Sequence, residues 1–600
     1  MIKSKRSKSA MWGKKILIGS ALVLGAVVAY AAPAKMSHDL QATKSGPVDV
    51  IVQFNHEPGA SDHQRVAGHG GKLKRQLGHF RGALYTVSAE RLAELAADPN
   101  VTYVTPDRPL HGASTSSSAW TLDYHNETIN TAAATAQGLD GTGIGVAVID
   151  SGIANVSDLN GNNIVYSQDF TGQGSAADQF GHGTHVSGII AGNGSASTGA
   201  NDLYTFKGVA QNANLINLRV LDANGSGTVS EVIAAIQTAI QLQSTYNIRV
   251  INLSIGGPVW ESYTQDPLCQ AVEQAWKAGI TVVVAAGNYG RDNAAGTNGY
   301  GTITSPGNDP YVITVGAMNT MGTPDRSDDV PASYSSKGPS LGDGVVKPDL
   351  VAPGNLIVSL YTASDTLNVQ NAGNEIPTSL YETNGTSAAS GSYFILSGTS
   401  MATPMVSGAA ALMLQQNPTL TPDQVKATLM LTAFKHLQQY SIVTDTTTGQ
   451  TFNEQADVFT VGAGYLDIQA ALANTTLAPA AAGSALSPLA KLNASGQVVL
   501  TENGSSVLAG NDILWGSDIL WGSDILWGSD ILWGSNSTAG QDILWGSSAP
   551  LAASDILWGS DILWGSDILW GSDILWGSDI LWGSNSTQIE ASSVLWGSKK

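Results

Sequence analysis

Four stretches of this chain are apolar without alternation: Ile144 to Ile149, Val250 to Ile255, Ile280 to Ala286 and Val312 to Val315. A strand with one wet face alternates apolar and polar residues, so an unbroken run describes a strand covered on both faces. Helical patterns lie between these runs. Thr228 to Gln243 opens with the capping box Thr228-Val-Ser-Glu231 and sets Val229, Val232, Ile233, Ile236 and Ile240 on one face. Covered strands alternating with helices specify an α/β domain with a parallel sheet flanked by helices, with ligands expected beyond the carboxyl ends of the strands.

Composition then narrows the partners. The chain has 600 residues, more than one hydrophobic core supports, so several domains are expected. Charged residues make up 13% against 42% apolar residues, which excludes wholesale disorder. With 28 Lys and Arg against 48 Asp and Glu, the net charge of −20 argues against nucleic acid, whose phosphates require clustered cations. A single cysteine, Cys269, permits no intrachain disulfide and no cysteine-based metal cluster; in the helix-like stretch Pro267 to Ala278 it reads as a core residue.

Residues 1–31 join a basic start to an apolar core and an Ala29-Tyr-Ala31 site, the pattern of a cleaved signal peptide; an uncleaved membrane anchor is the alternative. Residues 47–111 form a small α+β unit. Strands are predicted at Val48 to Phe54, Ala83 to Val87 and Val101 to Val104, with a helix capped by Ser88 and a basic middle at Lys72, Lys74, Arg75 and Arg81. The main domain covers 112–472, opening with a Ser-rich loop at Ala113 to Ala119. Residues 473–511, rich in Ala, Ser, Pro and Gly, read as a linker.

Three motifs sit at the ends of elements, where an open α/β sheet places its active site: Asp150-Ser-Gly152, Gly181-His-Gly-Thr-His-Val186 and Gly398-Thr-Ser-Met-Ala-Thr-Pro404. A serine hydroxyl is too weak an acid to attack an amide at neutral pH. It needs a neutral imidazole to take its proton and a carboxylate to hold that imidazole's tautomer. Asp150, His182 and Ser400 supply this set, and their chain order, Asp, His, Ser, is one of three known triad orders. Each motif alone has a plainer reading. Asp-Ser-Gly marks many turns, Gly-Thr-Ser-Met-Ala can be an ordinary helix start, and His182 with His185 could pair on zinc, although no His-Glu-x-x-His or third ligand accompanies them.

Together these residues make the chain resemble the subtilisin-like serine proteases over about 110–472, with a further likeness to that family's inhibitory propeptide, a small ferredoxin-like module, over 47–111. The resemblance implies a serine endopeptidase acting on proteins or peptides, made as a precursor and inhibited by its own propeptide. Val250-Ile-Asn-Leu-Ser-Ile-Gly-Gly-Pro258 resembles the substrate-binding strand, which implies that Ser254, Ile255 and Gly256 pair with an extended peptide. Val282-Val-Val-Ala-Ala-Gly-Asn288 resembles the segment carrying the oxyanion donor, which implies that role for Asn288, with the Ser400 N–H as partner. The small residues Ala285, Ala286 and Gly287 suggest an open primary pocket for apolar side chains.

The propeptide likeness implies that Val101 to His111 threads the cleft, with self-cleavage near Arg108 to Ala113; an unrelated N-terminal module is the other reading. Tyr361 to Tyr393 is longer than a compact family member needs and is expected at the cleft rim. The chemistry requires no cofactor. Structural calcium is compatible with the family, but Gly192 to Phe206 departs from its usual calcium loop, so no ligands are assigned.

The tail, residues 512–598, repeats Asp-Ile-Leu-Trp-Gly-Ser four times, once, and five times before a truncated copy at Val594. A period of six keeps side-chain parity, so Ile, Trp and Ser share one face of an extended chain and Asp, Leu and Gly the other. A β array that self-associates or retains the protein at a cell surface or matrix, a binding module for substrate, polysaccharide or partner, and a flexible low-complexity tail all remain open. A rival reading follows: an adhesion or matrix protein in which the tail is the working part and the protease domain serves its maturation.

Overall fold

The computed structural model describes residues 35–112, 122–159, 163–294, 296–445, 449–492, 498–502 and 505–509. The signal peptide expected at 1–31, the Ser-rich loop at 113–119 and the repeat tail at 512–598 lie outside the described residues.

The N-terminal unit is a four-stranded antiparallel sheet, β1 (Pro47–Phe54), β2 (Lys72–Leu77), β3 (Gly82–Ser88) and β4 (Val101–Pro106), in the order β2-β3-β1-β4 with helices Ala60–Gly68 and Leu92–Ala96. Alternation along β1 divides its side chains between two cores. Val50, Val52 and Phe54 pack with Val66, Tyr85 and Leu95 inside the unit, whereas Ile51 joins Leu77, Phe80 and Leu84 in the core of the large domain. The sheet therefore lies with one face on the main body, against helices Val229–Tyr246 and Pro267–Lys277. β2 falls in the stretch read only as a basic middle: it is an edge strand whose Lys72, Leu73 and Lys74 are exposed, so no apolar pattern marked it. Ser88 makes no cap hydrogen bond; its hydroxyl donates to Glu90 across a 3₁₀ turn, Ala89–Arg91, that precedes the helix.

A short strand, β5 (Pro109–Gly112), leads out of this unit into the main domain. There β6 (Gly145–Asp150), β7 (Ile164–Asp169), β8 (Asn214–Arg219), β10 (Ile248–Leu253), β12 (Thr281–Ala285), β13 (Ile313–Asn319) and β15 (Leu350–Pro353) are parallel, and β14 (Val330–Pro331) is antiparallel to β13. The order is β7-β8-β6-β10-β12-β13, with β14 and β15 both on β13. Between these elements, β9 (Ser226–Thr228) and β11 (Ile255–Gly256) form a separate three-stranded sheet with β5 at its centre. Helix Val229–Tyr246 begins as its sequence predicts: the Thr228 N–H donates to Glu231 at 2.9 Å, and Val232, Ile233 and Ile236 are buried. Helices His182–Ala191 and Thr399–Gln416 show no amphipathic stripe because nearly every residue of both is buried against the sheet.

The insertion before Ser400 folds as a small antiparallel sheet, β16 (Ile357–Leu360), β17 (Glu375–Pro377) and β18 (Ala389–Leu396), in the order β16-β18-β17. It rests on the turn leading to His182, where the N–H groups of Thr366 and Leu367 donate to Gln179 and Phe180 at 3.0 and 2.9 Å. Within 473–511, read from composition as a linker, the described residues 485–490 pack onto the main domain. Ala485 donates to Asp423, Ser487 is buried with its hydroxyl 2.6 Å from Asp349, and Leu489–Leu492 opens a three-stranded sheet with Val498–Glu502 and Ser505–Ala509. Small residues permit this close approach, and the same small residues imitate a flexible composition.

Candidate active site

The carboxyl edge of the main sheet collects the residues singled out by the motifs. Asp150 ends β6, Ser254 follows β10, Asn288 lies beyond β12, and His182 and Ser400 open the two buried helices. His182 Nδ1 lies 2.8 Å from Asp150 Oδ1 and 3.0 Å from Oδ2, with both side chains wholly buried. That contact assigns the Nδ1 proton to the Asp150 side and leaves Nε2 as the basic nitrogen.

The approach of helix to strand is possible only with glycine: a Cβ on Gly183 would stand 2.2 Å from the Gly152 carbonyl, and Gly181 adopts a φ of 105°. Asp178, which no motif marked, fastens the two loops. Its Oδ1 accepts from Ser151 Oγ and from the N–H groups of Phe180 and Gly181, at 2.8 to 3.0 Å; its Oδ2 accepts from the Thr184 N–H and hydroxyl at 2.8 and 2.7 Å. The Gly183 N–H in turn donates to Ser151 Oγ at 2.8 Å. An acid four residues before a helix-opening Gly-His is the only signal the sequence carried for it.

Ser400 Oγ donates to the Ser254 carbonyl at 3.0 Å, and Ser254 Oγ donates to the Ser400 carbonyl at 2.9 Å, which locks the helix start to the end of β10. For a proton transfer to His182 the Ser400 hydroxyl must turn from this acceptor. Asn288 Oδ1 accepts from the Thr399 N–H at 2.9 Å and the Thr399 hydroxyl at 3.0 Å. Two donors fix the carboxamide's oxygen and so set the orientation of the side chain. Ala285, Ala286 and Gly287 are buried at the end of β12. The Ala286 N–H donates to Val315, the Ala286 carbonyl accepts from Thr304, and the Gly287 N–H donates to Thr399 Oγ.

Ile255 and Gly256 pair antiparallel with Gly112 and His111, and the other edge of β5 pairs with Ser226 to Thr228. β5 is thus held on both edges, between β9 and β11. It ends beside the histidine: a Cβ on Gly112 would stand 3.6 Å from His182 Cγ and Nδ1.

Two neighbouring groups bear on metal chemistry. His185 is buried, its Nε2 donates to the Phe394 carbonyl at 3.1 Å, and burial holds its pKa down to about 3, so its imidazole is neutral. Against the stretch Gly192 to Phe206, the Asp158 carboxylate accepts from Ser195 Oγ and the Ala196 N–H at 3.1 and 2.7 Å and from the Tyr393 hydroxyl at 2.7 Å. Among the described residues no group of three or more His, Cys, Asp or Glu converges on a metal site. Cys269 is buried, and burial pushes its thiol pKa upward, as suits an inert core residue.

Residues 141–464 match the model of the subtilase family. The serine protease AprX of Bacillus subtilis is 42% identical over 298 residues; the match covers 49% of this chain and 62% of AprX, so the chain spans less than two thirds of that relative's length. Subtilisin E of the same organism is 35% identical over 372 residues, which are 61% of this chain and 79% of that protein. Among solved structures, fervidolysin from Fervidobacterium pennivorans, described as a keratinolytic enzyme related to subtilisin, matches with a TM-score of 0.54 at 21% identity, over 78% of this chain and 68% of its own. At that identity the likeness is one of fold: a subtilisin-like α/β architecture.

Proposed function

The chain belongs to the subtilase family, a family of serine endopeptidases, and from that premise we propose that it is an exported, self-processing member in which Asp150, His182 and Ser400 carry the chemistry. His182 Nε2 takes the proton of Ser400 Oγ as that oxygen attacks a peptide carbonyl, and Asp150 balances the imidazolium that forms. Asn288 Nδ2 and the Ser400 N–H hold the developing oxyanion. His182 then gives its proton to the leaving amine, and water releases the acyl group by the same route in reverse. The buried Asp150–His182 contact at 2.8 Å is the observation that carries this reading.

Residues 47–111 act in the proposal as the inhibitory propeptide. β5 supports this, since a strand seated between β9 and β11 and ending at the His182 ring is a tethered, product-like occupant at high effective concentration. Self-cleavage follows just beyond Gly112. Export rests on the basic and apolar start of the chain. Among the described residues no helix is long and apolar enough to cross a membrane.

The test is the intact mass of the secreted wild type and of Ser400→Ala, with labelling by a fluorophosphonate serine probe. The proposal expects a wild type shortened by the segment through about Gly112 and labelled, and a mutant that stays long and unlabelled. A wild type that remains full length and unlabelled refutes it.

A further inference from the structure

The strand in the cleft is preceded by a charged contact that belongs half to the main domain. Arg108, immediately before β5, donates from Nη1 and Nη2 to Glu261 Oε1 and Oε2, both at 2.7 Å, and from Nε and Nη2 to Asp39 at 3.0 Å. Its guanidinium carbon lies 5.6 Å from the Trp260 ring centroid, and that ring is half exposed. A bidentate fork against a carboxylate beside an aromatic face is the arrangement that recognises a guanidinium.

The ownership of these groups matters. Asp39 and Arg108 lie on the segment that precedes Gly112, and so does Thr105, whose hydroxyl is the other partner of Glu261, at 3.4 Å. Glu261 and Trp260 lie in the main domain, three and two residues beyond Pro258 in the segment that follows β11. The Glu261 side chain is only 3% exposed beside Arg108, and burial pushes its carboxyl pKa up while the guanidinium opposes the shift. When the N-terminal segment leaves, Glu261 loses both partners, and its carboxyl is left facing the place the Arg108 guanidinium held.

We propose that Glu261 and Trp260 form a remote subsite that selects an arginine or lysine side chain of a protein substrate, at the position Arg108 holds relative to β5. The inference rests on the endopeptidase reading of the cleft. A substrate strand that replaces β5 carries its residue at that position to Glu261 by register alone. Arginine satisfies both carboxylate oxygens, lysine one. A neutral residue leaves the acid unpaired, and a glutamate adds repulsion.

The test uses the self-processed protein, purified in its active form after loss of the segment through about Gly112, and four peptides spanning residues 106–117, with Arg, Lys, Gln or Glu at the position of Arg108. The expected order of kcat/KM is Arg, Lys, Gln, Glu, with Arg ahead of Gln by about tenfold and the difference carried by KM, since the contact is distant from the reacting bond. Glu261→Gln should erase the preference for Arg over Gln, and Glu261→Arg should turn it toward Glu. Equal rates on all four peptides overturn the subsite alone, as does a preference that survives Glu261→Gln; the wild-type series decides the point if the variant misfolds. Casein cut with all four peptides intact overturns the register on which the subsite rests. Casein and peptides all intact overturn the endopeptidase reading, and the subsite with it.

Discussion

Ser151 and Asp178 are joined by a 2.9 Å hydrogen bond that closes the loop after Asp150 onto the turn before His182. The geometry of the Asp150–His182 pair is thereby set from outside the pair, and Asp178 is a positioning residue. Asp178→Asn turns an amide NH₂ toward donors that now meet a carboxylate. The expected result is a kcat lower by about 100-fold, the scale of a misplaced catalytic group, with KM little changed. An altered acid limb of the pH–rate profile, alongside a retained circular dichroism spectrum, separates this from general unfolding.

Asn288 and Thr399 make a graded pair. For Asn288→Ala kcat should fall by ~100- to 1,000-fold, the loss known for such a donor in subtilisin. Thr399→Val keeps the backbone donor to Asn288 but removes the hydroxyl at 3.0 Å, so kcat should fall by only about tenfold, one charge-free hydrogen bond's worth. Single-turnover acylation rates of the two variants measure the grading.

Asp365 touches the turn before His182: a Cβ on Gly181 would stand 2.5 Å from its Cγ. Burial pushes its pKa up to about 6, with the N–H groups of Thr362 and Asn368 opposing and the Asp178 charge adding to the rise. A folded pKa above the ordinary ~3.9 means that the stability it contributes is present below about pH 4 and is lost as pH rises to 6. In a Ser400→Ala background, which prevents self-digestion, Asp365→Asn should gain about 1 kcal/mol on its parent between pH 4 and 7. Urea unfolding at the two pH values measures it.

Lys347, Asp349 and Lys426 form a fully buried cluster in which Asp349 lies 2.8 and 3.2 Å from the two ammonium groups. Asp349→Ala strands two buried cations and should cost about 3–5 kcal/mol. Burial also holds Lys426 down to about 7. The folded chain then binds fewer protons than the unfolded one up to the ordinary lysine value of ~10.4, so stability rises with pH across that window. Lys426→Met should flatten the rise, in the same Ser400→Ala background.

The residues of the proposed catalytic set were easier to single out in this sequence than the scaffold around them. Asp150, His182, Ser400 and Asn288 stand in short motifs because strand ends and helix starts impose glycine and small residues beside them, and the unbroken apolar runs marked β6, β10, β12 and β13. β8 and β15 were passed over. β8 interrupts its apolar residues with Asn217 and ends on buried Arg219, whose charge is met by the Leu221, Ser175 and Ala177 carbonyls and by Gln173 and Gln179. β15 is only four residues long. Asp178, Asp365 and Glu261 act through partners distant in sequence or through loops without periodicity, so no local pattern announces them.

The strands after Ala485 give the molecule a second boundary. Ser487 supplies a hydroxyl to buried Asp349, and the Val346 N–H donates to the Pro488 carbonyl. The folded body thus closes on a clasp taken from beyond the catalytic segment. A chain shortened at residue 472 would lose that clasp, whereas one shortened at 509 would keep it. Experiments that dock, swap or graft the Trp-rich repeats have their natural seam at the later point, and loss of activity after the earlier cut would report an opened core rather than a missing tail.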